Sequence, residues 1–383
     1  MKGRNSRLKV FSHSQAIEKT CKAIEAIELE DALQEEVSIE ITGDLHEYDR
    51  GTSRITGKNT YYHKWSRGLE LGPIASLTMQ VDTGLKLPEV IKGGADKDGH
   101  KWWIEKGVIR RMPATSSDKR ELIRNIGKAY IFLYVCGVTD CHIDNFVINK
   151  GRLVCVDWET FSSAYFFKRL SNSVDKEPYY LDSNYNLSEF MLTNRTTMGP
   201  NECCYGVVSN VMRWMDKMNY LDNEHRMQIL LSAISEAIQA TISRENKIIE
   251  ALESMHTGKS RVIIRATRVY EIILKTIQKC STDLERDFIL EYWRKRLLDS
   301  SLHCRYNYQK WLRQIVEKEI WALKNGWIPL FQSEEIIMYE RHRKTLSTRV
   351  RARIRALDDK ISQITVNNLA RSACLRFMNN VSQ

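Results

Sequence analysis

Hydrophobic positions change period along this chain, and the change divides it. Ile17, Ala23 or Ile24, and Ile27 recur at helical spacing and predict an amphipathic helix over 14–36, with Ser14 as its N-cap. Val37-Ser-Ile-Glu-Ile-Thr42 alternates, as a half-buried strand does, and runs into a Gly-bounded segment, Gly43 to Gly51, read as a loop. Tyr61 to Trp65 predicts the next strand. Lys101 to Gly107 predicts another, after a polar loop from Gly93 to Gly99. Pro113 to Ser117 breaks the chain. From Asp118 onward, Leu122, Ile126, Ala129-Tyr130 and Leu133 mark a helix capped by Ser116 or Ser117. A polar loop follows, then two short apolar strands joined by a turn at Lys150-Gly151. Residues 159–201 are polar and rich in Asn and Ser.

Beyond Tyr205 the period is helical. Segments Val207 to Met218, His225 to Ser243, Asn246 to Met255, Arg261 to Leu274, Asp283 to Leu298 and Tyr306 to Lys324 all carry it. The last stretch has seven Lys or Arg between Arg341 and Arg355, read as a solvated basic helix face or as a contact for an acidic partner. The fold class is α+β: a small β-rich lobe beside a larger, mostly helical one. The expected division is 1–36 (N-terminal helix), 37–112 (small lobe), 113–200 (catalytic loop, hairpin and following polar segment) and 201–383 (helical region).

Composition narrows the partners. A chain of 383 residues, 43% of them hydrophobic, buries a sizeable core; only 6 Pro and 18 Gly argue against long disordered linkers. The net charge of +10 suits an anionic partner such as ATP or an acidic peptide. The basic residues are dispersed without a compact nucleic-acid motif, so nucleic acid is not expected. Nine cysteines, odd in number and without a CxxC, fit neither a disulfide framework nor a zinc site. Reduced thiols, no apolar signal region after the basic N-terminus and no run of membrane-spanning length lead to the expectation of a cytoplasmic protein with no membrane span.

The chemistry concentrates in the hairpin. Asp140 and Asn145 stand five positions apart, and Asp157 lies at the end of the strand Leu153-Val-Cys-Val156. A protein kinase catalytic loop has the same Asp-x-x-x-x-Asn spacing, with a metal-binding Asp on the next hairpin. One Asp must reach the attacking hydroxyl, while Asn and the second Asp hold metal against the phosphates of ATP. Lys64, on a strand after the Gly-bounded segment, has the place of the lysine that grips those phosphates. It reads equally as a solvent-facing strand lysine. Trp102 and Trp103 stand where a kinase hinge would bind adenine, and also read as core aromatics. The loop departs from the ordinary kinase pattern: His142 lies inside it, no His-Arg precedes Asp140, and Asp157 is followed by Trp158-Glu159. The plain alternative is a polar hairpin with incidental carboxylates.

Thr139-Asp-Cys-His-Ile-Asp-Asn145, ending in Asp157-Trp-Glu-Thr160, resembles the dehydratase domain of class II lanthipeptide synthetases. Gly43-Asp44-Leu-His46 with Gly51, Tyr62-His-Lys64-Trp-Ser-Arg67, Trp103-Ile-Glu105, Arg261-Val-Ile-Ile-Arg265-Ala-Thr267 with Tyr270, and Trp327-Ile-Pro-Leu-Phe331 are similar to further segments of that family, in order, over about residues 40 to 365. The resemblance implies a lipid-kinase-like core that uses ATP and Mg²⁺ to phosphorylate Ser or Thr of a precursor peptide, then eliminates phosphate to give dehydroalanine or dehydrobutyrine. It implies Lys64, with Asp44 and His46, at the nucleotide. Asp140 would act on the substrate hydroxyl with His142 beside it. Asn145 and Asp157, supported by Glu159, would hold Mg²⁺, and Arg261 and Thr267 would serve elimination. Three departures stand out. The chain is shorter than the family's dehydratase domain, Trp65-Ser66 replaces the family's proline, and no cyclase segment with its zinc-ligand set follows, so ring closure is expected to need a separate enzyme. A kinase that stops at the phosphorylated product, and a nucleotide-binding scaffold without activity, are the competing expectations.

Overall fold

The computed structural model describes residues 13–26, 37–46, 50–67, 71–95, 101–138, 141, 143–161, 207–255, 261–262, 264, 267–299, 309–332 and 346–362. The architecture is mixed α+β, with a β-rich N-terminal region followed by a mostly helical remainder.

Five antiparallel strands build the N-terminal sheet: β1 (Ser38–His46), β2 (Arg50–Thr56), β3 (Thr60–Arg67), β5 (Val90–Ala95) and β6 (Lys101–Lys106), in the order β1-β2-β3-β6-β5. The first strand does not stop at Thr42. It continues through Gly43 and Asp44 to His46, which pairs with Arg50, with the register broken in between. The segment read as a loop is therefore the end of a hairpin, and an irregular ladder accommodates its glycine. Strand β5 likewise takes in Gly93 to Ala95, the start of the expected polar loop. Glycine is required there because a Cβ at Gly93 would lie 2.8 Å from the Trp102 carbonyl oxygen, and one at Gly94 3.1 Å from the Trp102 ring.

Helix α1 (His13–Ala26) packs on this sheet through Ala23 and Ile24, against Ile55, Tyr61 and Ile104. A buried polar contact fixes it: the Thr20 hydroxyl lies 2.8 Å from the Ser53 hydroxyl and 3.1 Å from His63 Nδ1. Residues 27–36, expected to extend this helix, lie outside the described residues.

The larger core forms around α3 (Ser116–Val135). Its cap is Thr115 rather than Ser116 or Ser117. The Asp118 N–H donates to the Thr115 hydroxyl, and the Asp118 carboxylate accepts from the Thr115 N–H, a reciprocal pair that neither serine makes. Leu122, Ile123, Ile126, Ala129 and Leu133 face inward, as their spacing predicts. They pack against α5 (Asn223–Ser243), with α4 (Val207–Lys217) and α6 (Glu245–Ser254) in the same core. Helix α2 (Leu71–Gln80), which the sequence reading passes over, buries Ile74 and Leu77 here.

A three-stranded sheet, in the order β4-β8-β7, joins Leu85–Lys86 (β4) to the hairpin of β7 (Phe146–Asn149) and β8 (Arg152–Cys155). The strands and the Lys150-Gly151 turn fall where the apolar pattern placed them, with Lys150 at φ 57°. Gly84, at φ +69°, leads into β4, and a Cβ there would overlap the carbonyl oxygen of Asn125 on α3. The Gly84→Ala substitution is expected to cost about 2–4 kcal/mol, from left-handed backbone plus overlap with a helix that cannot retreat. A lowered unfolding midpoint in denaturant checks it; an unchanged midpoint refutes this packing.

Helices α7 (Thr267–Ile277), α8 (Asp283–Asp299) and α9 (Gln309–Lys324) form a second cluster around Tyr270, Ile273, Leu290, Leu297, Val316 and Ile320. Here the structure corrects the sequence reading. No helix starts at Arg261. Arg261–Val262 is a strand, β9, paired antiparallel with Phe331–Gln332, β10, and the helix begins at Thr267. The β-branched Val262 suits a strand, and Phe331 gives it a partner to pack on. The final helix, α10 (Leu346–Ser362), corrects another expectation. Arg353 is buried, donates to the Tyr134 carbonyl and stacks 4.9 Å from the Tyr134 ring centroid. Arg351 pairs with Glu245 at 3.3 Å. The described part of the basic stretch thus anchors α10 on α3 and α6 as well as facing solvent.

Candidate functional site

The site is built where the edge of the hairpin meets the N-terminal sheet. Lys64 lies on β3, opposite Trp103 of β6. It is 8% exposed, so it is not a solvent-facing lysine. Its Nζ lies 2.7 Å from Glu105 Oε1 and donates to the Val156 carbonyl at 2.5 Å. Alternation along β6 puts Trp103 and Glu105 on one face, and the Trp103 indole N–H donates to Glu105 Oε2 at 3.1 Å. Glu105 thus has both oxygens committed. A charge pair buried to this degree is stable only with such full satisfaction. Trp103 also stacks on Trp158, with ring centroids 5.3 Å apart. The sheet therefore reaches the hairpin twice, once by charge and once by aromatic contact.

The hairpin presents its own polar groups at that junction. A short 3₁₀ turn, Ile143–Asn145, ends in Asn145, and the Val156 N–H donates to the Asn145 carbonyl at 2.9 Å. That bond holds Asn145 beside the start of the Val156-Asp157 segment. Asp157 Oδ1 accepts from the Glu159 N–H at 3.3 Å. Cys155 donates to the Asp157 carbonyl at 3.2 Å. Burial, and next the Asp157 carboxylate, push the Cys155 thiol well above its ordinary range, so it stays protonated.

Glu159 continues the line. It is 6% exposed, and its Oε1 lies 2.6 Å from Arg261 Nη1. The Arg261 N–H donates to the Glu159 carbonyl at 2.9 Å. Main chain and side chain together bind the start of the Arg261–Tyr270 segment to the end of the hairpin.

The structure thus brings together Lys64, the Asn145 and Asp157 backbones, Glu159 and Arg261. Asp44 and His46 lie on β1, two strands from Lys64 in the sheet. Thr267 opens α7. Asp140 and His142 lie outside the described residues. Sequence reasoning gave no role to Glu105 or Trp158. Glu105 stood out only within the Trp103-Ile-Glu105 segment, and its partnership with Lys64 follows from the pairing of β3 with β6.

Among the described residues no group of three or more His, Cys, Asp or Glu is placed to hold a metal ion. Mg²⁺ asks for less. It keeps several waters and takes one or two protein oxygens plus substrate phosphates. Asn145 and Asp157, whose backbones the Val156–Asn145 bond holds close, carry side-chain oxygens of that kind. In comparisons with protein-family models and with curated proteins, the chain matches none. Among the described residues no helix is long and apolar enough to cross a membrane.

Proposed function

We propose that this protein is an ATP-dependent dehydratase that phosphorylates Ser or Thr of a ribosomally made precursor peptide and then eliminates the phosphate. The observation that carries the reading is the buried Glu159–Arg261 pair. It joins the phosphoryl-transfer hairpin to the segment similar to the family's elimination residues, although 102 positions separate the two. The small sheet with one buried lysine docked on the hairpin supports a two-lobe, kinase-like core.

In this reading Lys64 grips the phosphates, and Glu105 with Trp103 holds the lysine where it can do so. By the resemblance, Asp140 and His142 would act on the substrate hydroxyl: its oxygen bonds to the γ-phosphorus as the bond to ADP breaks, and its proton passes to Asp140. Asn145 and Asp157 would hold Mg²⁺, which would supply the positive charge that phosphoryl transfer requires. In the second step a general base accepts the α-proton, the Cα–Cβ double bond forms and the Cβ–O bond breaks with release of phosphate. Arg261 and Thr267 take the departing phosphate. A cation and a hydrogen-bond donor placed on developing charge lower that barrier.

Incubation with ATP, Mg²⁺ and a precursor peptide, followed by mass spectrometry, is expected to show loss of water from the peptide. A phosphopeptide that never loses phosphate overturns the proposal. That outcome supports the second reading, a peptide or small-molecule kinase that stops at the phosphorylated product.

A further inference from the structure

We propose that the outer face of α8 is a self-association surface on which a second copy of this chain pairs antiparallel. The inference is independent of the chemistry proposed above.

The inner face of α8 is spent on the core through Leu290 and Leu297. The outer face is also apolar. Leu284, Phe288 and Tyr292 recur every four residues and are 82%, 73% and 47% exposed. Single exposed apolar residues are ordinary; three in line on one helical stripe are not. Neighbouring α9 runs antiparallel to α8, as the pairs Arg294–Glu317 at 3.1 Å and Lys324–Asp287 at 3.0 Å show. This alignment sets Trp321, 49% exposed, level with the middle of the stripe.

Charge selects the occupant. Beside the stripe the first half of α8 carries Glu285 and the second half Lys295 and Arg296, while Asp287 is paired with Lys324, and Arg294 with both Glu291 and Glu317. Asp283 and Arg286 offset each other at 3.0 Å. A parallel copy would set like charges together. An antiparallel copy, related by a twofold axis near Leu290, sets the Glu285 end of each helix on the Lys295-Arg296 end of the other. Phe288 then meets Tyr292 of the second copy, Glu285 approaches its Lys295 and Arg296, and Asp299 faces its uncharged Ser281. An acidic or a basic partner would match only one end of the stripe, whereas the chain's own α8 matches both.

Sedimentation equilibrium of the full chain over a wide concentration range tests this. The wild type is expected to pass from monomer to dimer. Phe288→Glu, at an exposed site that leaves the fold intact by circular dichroism, is expected to loosen the dimer at least about ten-fold. Lys295→Glu should loosen it too, and Glu285→Lys added to Lys295→Glu should recover it. Glu291→Cys, close to the twofold axis, should cross-link to itself under mild oxidation beyond the wild-type background. A wild type that stays monomeric throughout overturns the proposal, and means that another protein or another part of this chain covers the stripe. A dimer indifferent to Phe288→Glu overturns it as well, since the contact then lies elsewhere.

Discussion

Replacing Lys64 by Met is expected to reduce ATP-dependent transfer at least about 10²-fold, the usual cost of removing one preorganised charge from a site where phosphate charge develops. It should also destabilise the fold. Glu105 is 3% exposed, and without Lys64 its charge loses the cation it pairs with at 2.7 Å. Breaking one side of a buried pair costs about 3–5 kcal/mol, and the Val156 carbonyl also loses its donor. Loss of activity alone would therefore be ambiguous. The second substitution resolves it. Lys64→Met combined with Glu105→Leu removes both charges and should recover most of the stability, because an apolar pair of similar volume is often neutral or better. Thermal melting and peptide phosphorylation are measured side by side. Stability that returns without activity assigns Lys64 to the phosphates. Activity that returns with stability would reduce Lys64 to a structural pin and remove the main support for nucleotide binding at this junction.

Arg261→Ala is expected to leave phosphorylation standing and slow elimination by about 10²–10³-fold, so that phosphopeptide accumulates in place of dehydrated product. The substitution also takes from the buried Glu159 its ion-pair partner at 2.6 Å. A general loss of structure would depress both steps together. Arg261→Ala with Glu159→Gln removes that buried charge as well and should melt closer to the wild type. In that background the build-up of phosphopeptide isolates the role of the guanidinium. If phosphorylation and elimination fall in parallel in both variants, Arg261 acts through the hairpin and not on the phosphate. If neither changes, the kinase reading gains.

The half of the site built from local sequence was legible, and the half built from distant pairing was not. The hairpin from Phe146 to Cys155 is a local object: two apolar runs and a Lys150-Gly151 turn leave little choice. The α3 helix was visible from its period, while its cap slipped by one or two residues because Thr115, Ser116 and Ser117 are chemically alike and only Thr115 has the backbone geometry that reaches Asp118. Glu105 needed knowledge of strand order. It faces Lys64 only because β6 lies against β3, and the intervening 71–95 segment, with α2, β4 and β5, gives no local sign of that. Arg261 was placed on a helix because its neighbours are apolar enough to fit either period. The decision came from Phe331, far along the chain, and from the Glu159 carbonyl, which accepts the Arg261 N–H. Arg353 was hidden in the same way. A cation in a basic run looks solvated until a ring such as Tyr134 lies beneath it.

The bond from Cys155 to the Asp157 carbonyl has a use beyond geometry. The thiol is wholly buried and held in its protonated form, so alkylating reagents, which attack thiolates, find no target in the closed protein. Reaction at Cys155 requires a local opening that admits solvent, and the neighbouring Val156 carbonyl is held by Lys64. Its labelling rate is therefore a built-in clock for opening at the end of the hairpin. It needs no introduced probe, and a nucleotide bound at this junction would slow it.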